Sequence, residues 1–573
     1  MKRLLVLLAI IAFVACGLWA THQAIMPLAS SGSMARLMPQ GALLFIEARD
    51  FSGMLREWST SREKSAWLSG ANHEVFSRSR LFERLKQAQD EFATAAGVPP
   101  DTAFLSQVAG RNSALAIYDI GKLELLYITR VPSADFTQSA LWQKRSQFEP
   151  REVAGRKFYV RTDEASGRVV AFAAQDDVLV LGTREDLVAA TVSLLGGQKL
   201  ATLQDESWFV EALKAAPRDP SELRMVIHLA EVAMTPQFRT YWLPRNITEM
   251  RQYESSVSDL TRDPQQWRED RSLLLKKVPN GTVDDSARAV ADLVRLVPPD
   301  IGFYRASAVP SSKDTLAQVD ELLMPRPAAS PESTQAPNVA VGDGTTGRES
   351  DLDIDISVAP PTTTQADAAA KVKPDAPLEQ LLTNANVQAA LQVHRSAVAA
   401  DGVFVGLHSA IVLAAEQPWN DAAARDAMQR VLAPATTTAS LGAAWKTMGS
   451  AAKPFVQLDG LSSITLATRG RYLIVANDPA LLSEILARMD QKPNAQPAIY
   501  IASFDHQRER ENYYKLTSLI DHTSTNQPDN SEPRFFSQDV ASLSRTLSGV
   551  KSQTVTRTRD GMIERQSVVY IWE

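Results

Sequence analysis

Val169–Leu195, VVAFAAQDDVLVLGTREDLVAATVSLL, and Ser463–Met489, SITLATRGRYLIVANDPALLSEILARM, carry one pattern twice. Set side by side without a gap at an offset of 294 residues, Phe172 meets Leu466, Ala173 meets Ala467, Leu179 meets Leu473, Val180 meets Ile474, Leu181 meets Val475 and Leu187 meets Leu481. Each copy predicts strand, tight turn, strand and capped helix. The turns are Gln175-Asp176-Asp177 and Arg469-Gly470-Arg471. The caps are Thr183 in the first copy and Asn477-Asp478 in the second, where Pro479 takes the first helical position. The copies share apolar positions and differ at nearly every polar one, which marks a motif of architecture and not an active site.

Working outward, each copy has a Pro-led strand far upstream. Met38-Pro39-Gln40-Gly41 introduces Ala42–Glu47, and Val297-Pro298-Pro299-Asp300 introduces Ile301–Arg305 at the smaller offset of 259. The second half therefore holds an extra segment. Leu323–Pro377 supplies it: this stretch has no aromatic residue and is rich in Pro, Ala, Thr and Asp, so it buries too little apolar surface to offset chain entropy and is expected to be a disordered insertion.

In the first half, Arg78–Ala96 predicts a helix ending at Gly97, Ala114–Ile120 and Glu124–Val131 a hairpin, Lys157–Arg161 a strand, Trp208–Ala215 a helix and Leu223–Glu231 a strand. Glu249–Lys277 reads as charged and helical with Asp263-Pro264 interrupting it, followed by an amphipathic helix at Asp284–Leu296. In the second half, strands are expected at Gly402–Leu407, Ala410–Ala415 and Pro497–Phe504, and helices at Asp421–Leu432 and Arg508–Asp521. Asp560-Gly561 between two alternating runs predicts a terminal hairpin. The expected fold class is α+β, two related halves, each a largely antiparallel sheet with packed helices. The expected segments are 1–20 as a membrane or signal segment, 21–37 as a tether, 38–245 as the first repeat, 246–296 as a charged helical connector and 297–573 as the second repeat, carrying the insertion 323–377.

Met1–Ala20, MKRLLVLLAIIAFVACGLWA, begins with Lys2-Arg3 and is uncharged from Leu4 to Ala20, about 26 Å as a helix. Its flanking charges direct the remaining chain out of the cytoplasm. Three readings share these residues. Phe13-Val14-Ala15-Cys16 resembles the bacterial lipobox, although Phe13 replaces the usual Leu, and this reading lipidates Cys16; an uncleaved signal anchor and a cleaved secretory signal are the others.

At 573 residues, 45% hydrophobic and 22% charged, the chain is long enough for three or four domains. A net charge of −6 with mixed signs gives no basic stripe for nucleic acid. One cysteine excludes an internal disulfide and a thiolate metal cage. His22, His73, His228, His394, His408, His506 and His522 never stand at metal-ligand spacing. Gly342–Gly347 spells G-x-G-x-x-G without the flanking strand and helix that a phosphate cradle needs, and Asp351–Asp355 starts like a calcium loop but has Ile356 and Thr362 where Gly and Glu are required. Asp176-Asp177 and Asp284-Asp285 suit a turn and a helix start, and the aromatic sets Phe238, Tyr241, Trp242 and Tyr513-Tyr514 suit packing or a partner groove. No nucleophile elbow or phosphate-binding lysine loop is present. No catalytic, cofactor or metal residue is nominated, and Cys16 is the one modification candidate.

A basic signal-like start, Pro-led strands and a strand-turn-strand-helix core in each half resemble bacterial envelope proteins that carry a domain of unknown function. That resemblance implies an envelope-anchored, periplasm-facing binding or scaffold protein with a membrane and an envelope protein as partners, and it carries over no catalytic residue. The alternatives are a carrier of lipid or another apolar ligand and an unrecognised hydrolase.

Overall fold

The structure is a computed structural model, described here for residues 33–572 apart from 70–72, 74–76, 218–221, 238–249, 264, 279–282, 310, 314, 317–318, 320–375, 399–404, 437–443, 459–462, 513–514 and 516–548. The fold mixes helices with antiparallel sheet. Its first strands are β1 (Leu44–Ala48), β2 (Ser113–Asp119), β3 (Glu124–Arg130), β4 (Glu149–Val153), β5 (Arg156–Thr162), β6 (Val169–Gln175), β7 (Val178–Gly182), β8 (Leu223–Ile227), β9 (Tyr253–Arg262) and β10 (Gln266–Leu275). They lie in the order β4-β5-β6-β7-β3-β2-β1-β8-β9-β10, each antiparallel to its neighbours.

The later strands are β11 (Phe303–Ala308), β12 (Val387–Val398), β13 (Val405–Ala415), β14 (Trp445–Ser450), β15 (Lys453–Leu458), β16 (Ile464–Arg469), β17 (Tyr472–Ala476), β18 (Tyr500–Asp505), β19 (Val550–Asp560) and β20 (Ile563–Trp572). They form the runs β14-β15-β16-β17-β13 and β12-β11-β18-β19-β20. Every one of these neighbour pairs has a counterpart ten strands earlier. β10 pairs antiparallel with β20 from Gln266↔Ile571 to Leu274↔Ile563.

The chain divides into two compact units, one made of Met1–Ala308, Ala389–His408 and Ile485–Glu573, the other of Val309–Gln388 and Ser409–Glu484. The first holds an unbroken antiparallel run from β4 through β10, β20, β19, β18 and β11 to β12. The second holds β14-β15-β16-β17-β13 and the helix Asp421–Thr436. This division departs from the expected limits of 245 and 297. The sheet pairing of β10 with β20 and of β18 with β11 keeps the C-terminal strands in the unit of the N-terminal ones, so sequence halves and packed units differ.

Local chemistry explains the turns. Gly561 adopts φ +58°, and Asp176 and Asp177 adopt +45° and +46° at the β6–β7 turn, a left-handed pair that a short Asp side chain tolerates. The helices of the first unit needed below are α1 (Phe51–Thr60), α2 (Arg80–Ala96), α3 (Thr102–Val108), α4 (Glu185–Leu195) and α5 (Ser207–Ala215). Ser79 Oγ accepts from the Phe82 amide at 3.2 Å to open α2, and Gly97 at φ +67° closes it.

Several expectations need correction. Thr183 does not cap α4: its hydroxyl accepts from the Leu125 amide at 2.9 Å and so pins β7 to β3. Asn477 likewise accepts from the Ser409 amide at 2.7 Å, leaving Asp478 to cap the following helix through the Ala480 amide. The connector 246–296 is not helical throughout. Residues 253–275 form the β9–β10 hairpin, with Asp263 at its turn, and only Val283–Val294 is helical. Its charges alternate with a period of two, Arg268 and Asp270 on one face and Glu269 and Arg271 on the other, which suits a strand. Gly402–Leu407 and Ala410–Ala415 belong to one described strand, β13, from Val405 on.

Among the described residues, no helix is long and apolar enough to cross a membrane. The expected membrane segment 1–20 with Cys16, most of the tether 21–37, insertion residues 323–375, the motifs at 342–347 and 351–355, the aromatic residues 238, 241, 242, 513 and 514, and most of the helix expected at 508–521 lie outside the described residues.

Candidate functional site

The two faces of the β1-β2-β3 region are covered differently. On one face, Phe45, Ala116, Leu126, Ile128, Val180 and Val226 form a filled core. Helix α4 packs on β5, β6 and β7, and α5 packs on β9 and β10. Phe209 of α5 meets Phe45 edge-to-face at 5.6 Å. Phe45 is 1% exposed and Ala116, Leu126, Ile128, Val180 and Val226 are fully buried, so this side has native packing with no room for a guest.

The opposite face is read by following cross-strand partners. Tyr159, Phe172, Leu181, Tyr127, Leu115, Ile46 and Met225 stand in one row across β5, β6, β7, β3, β2, β1 and β8. At the β5–β6 end the row is filled by aromatic rings. Phe172 has Phe148 at 5.1 Å, Tyr159 stacked at 5.2 Å and Phe136 at 6.3 Å. Over β3, Phe51 meets Tyr127 edge-on at 6.2 Å. Helices α1, α2 and α3 roof a cavity of about 190 Å³ there, with Met54, Leu55, Phe92 and Leu105 above and Leu115, Ile117 and Leu125 below. Those three sheet residues are only half-buried, whereas their neighbours on the other face are fully covered. The volume is comparable with engineered apolar cavities of roughly 150 Å³, which stay dry and admit a benzene-sized guest.

Several polar groups at and behind this cavity are already paired. Tyr127 donates its hydroxyl to the Val108 carbonyl at 3.0 Å and lies 3.2 Å from Ser113 Oγ, and burial pushes its phenol up to about 12. Thr129 Oγ1 lies 2.7 Å from Ser113 Oγ and accepts from the Gly110 amide at 3.0 Å. Arg168, the one charged lining residue, holds Glu91 at 2.6 Å and the Lys122 carbonyl at 2.8 Å. The wall therefore offers an apolar guest dispersion and desolvation, with its single charge neutralised.

His228 stacks on Trp208 at 4.4 Å and lies 3.4 Å from Glu254; His394 adjoins Phe303 at 5.6 Å; burial lowers the affinity of His506 for a proton. Among the described residues there is no group of three metal-ligating side chains. Sequence reasoning nominated none of the cavity residues. The signal it had was the alternation Leu115, Ile117 and Leu125, Tyr127 on paired strands, which fixes a shared face but not a void above it.

No protein-family model matches the chain, and no curated protein matches it. Among solved structures it is similar to crystal form I of TP0453, at 13% identity and a TM-score of 0.23 over 44% of this chain and 82% of that one. Crystal forms III and IV of TP0453 give 12% identity and the same TM-score, covering 44% and 42% of this chain and 84% and 79% of theirs. A likeness at that level carries no argument for a shared fold or activity.

Proposed function

We propose that this chain is a non-enzymatic, envelope-anchored protein that binds an uncharged apolar ligand, such as a lipid tail, in the cavity between α1, α2, α3 and the β1-β2-β3 face. The single observation that carries the reading is the asymmetry of that sheet region: one face is packed to zero exposure and the other keeps an apolar void. A scaffold protein has no use for such a void, and filling it with side chains would add stability at about 25 cal/mol per Å² of apolar surface buried. Neutralisation of Arg168 by Glu91 favours a hydrocarbon or aromatic portion over a free carboxylate at the buried end.

The envelope location rests on residues 1–20, and the proposal of two related halves rests on three supports: the offset of 294, the matching order of strand neighbours and the paired roles of Thr183 and Asn477. Reporter fusions after Leu37 test the location; activity of a cytoplasm-only reporter rejects it. Labelling with a fatty acid, with Cys16→Ser as control, separates a lipoprotein from a signal anchor.

Binding is tested with the purified chain, stripped of lipid, and a polarity-sensitive apolar dye. Leu115→Trp fills the cavity from its floor. Saturable dye binding that falls at least tenfold in Leu115→Trp supports the proposal. Wild-type protein that binds neither the dye nor a long-chain alcohol rejects it.

A further inference from the structure

The cavity under α1, α2 and α3 is walled mainly by hydrocarbon. Apart from the Trp58 indole, the polar side chains on its wall are Gln89, Ser113, Tyr127, Arg168 and Thr183. Four of these are committed within the protein. Ser113 Oγ donates to the Gly110 carbonyl at 3.2 Å and adjoins Thr129, and the Tyr127 hydroxyl donates to the Val108 carbonyl. Thr183 accepts from the Leu125 amide and donates to the Leu123 carbonyl at 3.3 Å. Arg168 directs Nε and Nη2 to Glu91 and Nη1 to the Lys122 carbonyl.

Gln89 differs from them. On α2, Leu85, Gln89, Phe92 and Ala96 follow one another at helical spacing on the side turned to the protein, and Ala88 and Phe92 line the cavity beside Gln89. Gln89 is 7% exposed. The more exposed polar residues of this helix find partners: Gln87 Nε2 donates to Glu91 Oε1 at 2.9 Å, and Glu91 holds Arg168. The Gln89 amide, by contrast, makes no hydrogen bond with any described residue. A buried amide in that condition is costly, and in a folded protein it calls for a reason. The terminal torsion of a glutamine is soft, so a small rotation offers a guest in the cavity either the carbonyl oxygen as acceptor or the NH2 group as donor.

We infer that Gln89 sets the ligand class of this cavity: the guest is a hydrocarbon group bearing one neutral hydrogen-bonding function, a hydroxyl or an ester carbonyl, which the Gln89 amide engages. This inference rests on the apolar-ligand reading above and narrows it. A bare alkane would leave the amide unsatisfied. A carboxylate would bring a charge into the void while the Arg168 guanidinium is already held by Glu91, and burying such a charge is far more costly than burying a hydroxyl. A hydroxyl or an ester carbonyl satisfies the amide and adds no charge.

The test is displacement of the apolar dye from the lipid-stripped full chain by three compounds of similar size: heptane, 1-hexanol and hexanoate. Gln89→Met replaces the amide with an apolar side chain of similar length, and Gln89→Leu repeats the comparison with a second one. Dye affinity reports an intact cavity in each variant. In both, dye and heptane should keep the wild-type affinity within about twofold, whereas 1-hexanol should weaken by about fivefold or more, the effect of losing one neutral hydrogen bond. The melting temperature should hold or rise, because no structural hydrogen bond is lost. Hexanoate should bind the wild type at least tenfold more weakly than 1-hexanol. Dye and heptane that fail to bind the wild type remove the cavity reading and this inference with it. Binding of both, with 1-hexanol unaffected in the variants or weakened no more than heptane, overturns this inference alone, as does hexanoate binding as tightly as 1-hexanol.

Discussion

Strands β1 and β11 occupy matching places in their neighbour orders and carry opposite chemistry. Ile46 on β1 is flanked by Leu115 and Met225; Arg305 on β11 is flanked by Gln392 and Ala502. The first trio faces an apolar cavity region; in the second, Arg305 donates to Gln392 Oε1 and Gln392 Nε2 stays buried without a hydrogen bond. The other face reverses the contrast. Arg224 and Asp259 form a buried ion pair across β8 and β9, where β18 and β19 place Ile501 opposite Thr556. Backbone pairing constrains where a side chain points and leaves its polarity open, so one strand order can carry two different chemistries.

That contrast can be broken at its ion pair. Asp259→Ala leaves Arg224 buried and uncompensated, since both carboxylate oxygens accept from it at 2.7 Å, and should cost about 3–5 kcal/mol in urea denaturation. A loss below about 1 kcal/mol would show that water reaches the guanidinium. Transplanting chemistry across the comparison comes next. Ile46→Arg should lose about 3 kcal/mol by burying an unpaired charge, and adding Leu115→Gln should restore roughly 1 kcal/mol by giving it the acceptor that Arg305 has. Strict additivity of the two changes would argue that the trios are not equivalent environments.

The floor of the cavity can be titrated. An unfolded-chain tyrosine ionises near 10 and the buried Tyr127 phenol near 12, so between those values the unfolded chain has lost a proton that the folded chain keeps. Stability is therefore fully present below pH 10 and falls as pH rises towards 12, by about 3 kcal/mol in all. Tyr127→Phe should remove that slope, and an unchanged slope would assign it to other groups. The smallest effect concerns the roof. Ser79→Ala removes the cap of α2 and should cost about 1 kcal/mol in urea denaturation. No measurable loss would show that the hydroxyl of Ser79 does not hold the first turn of α2.

Turn and cap chemistry was the part of this fold most legible in the chain. Gly97 and Asp560-Gly561 mark boundaries because few residues adopt positive φ, and Pro39 and Pro298-Pro299 precede strands because proline resists continuation of a helix. The β9–β10 hairpin was misread because charges on both faces of a strand mimic the solvated side of a helix when a run lacks an apolar stripe. β4 and β14 were missed for a related reason. Both are exposed edge strands, with sequences EPREV and WKTMGS, and only pairing with β5 and β15 makes them strands at all.

By itself the sequence determined the strand-turn-strand-helix motif, its second occurrence 294 residues later and the positions of the hairpin turns, all of which depend on interactions within a few residues. Only the tertiary structure decided that β10 pairs with β20, that α1, α2 and α3 leave a void above Leu115, and that Arg305 occupies the oxygen of Gln392 and strands its nitrogen. Those outcomes depend on register between strands remote in the chain and on how closely helices settle on a face. Both are set by long-range packing, of which a local pattern of polar and apolar residues holds no record.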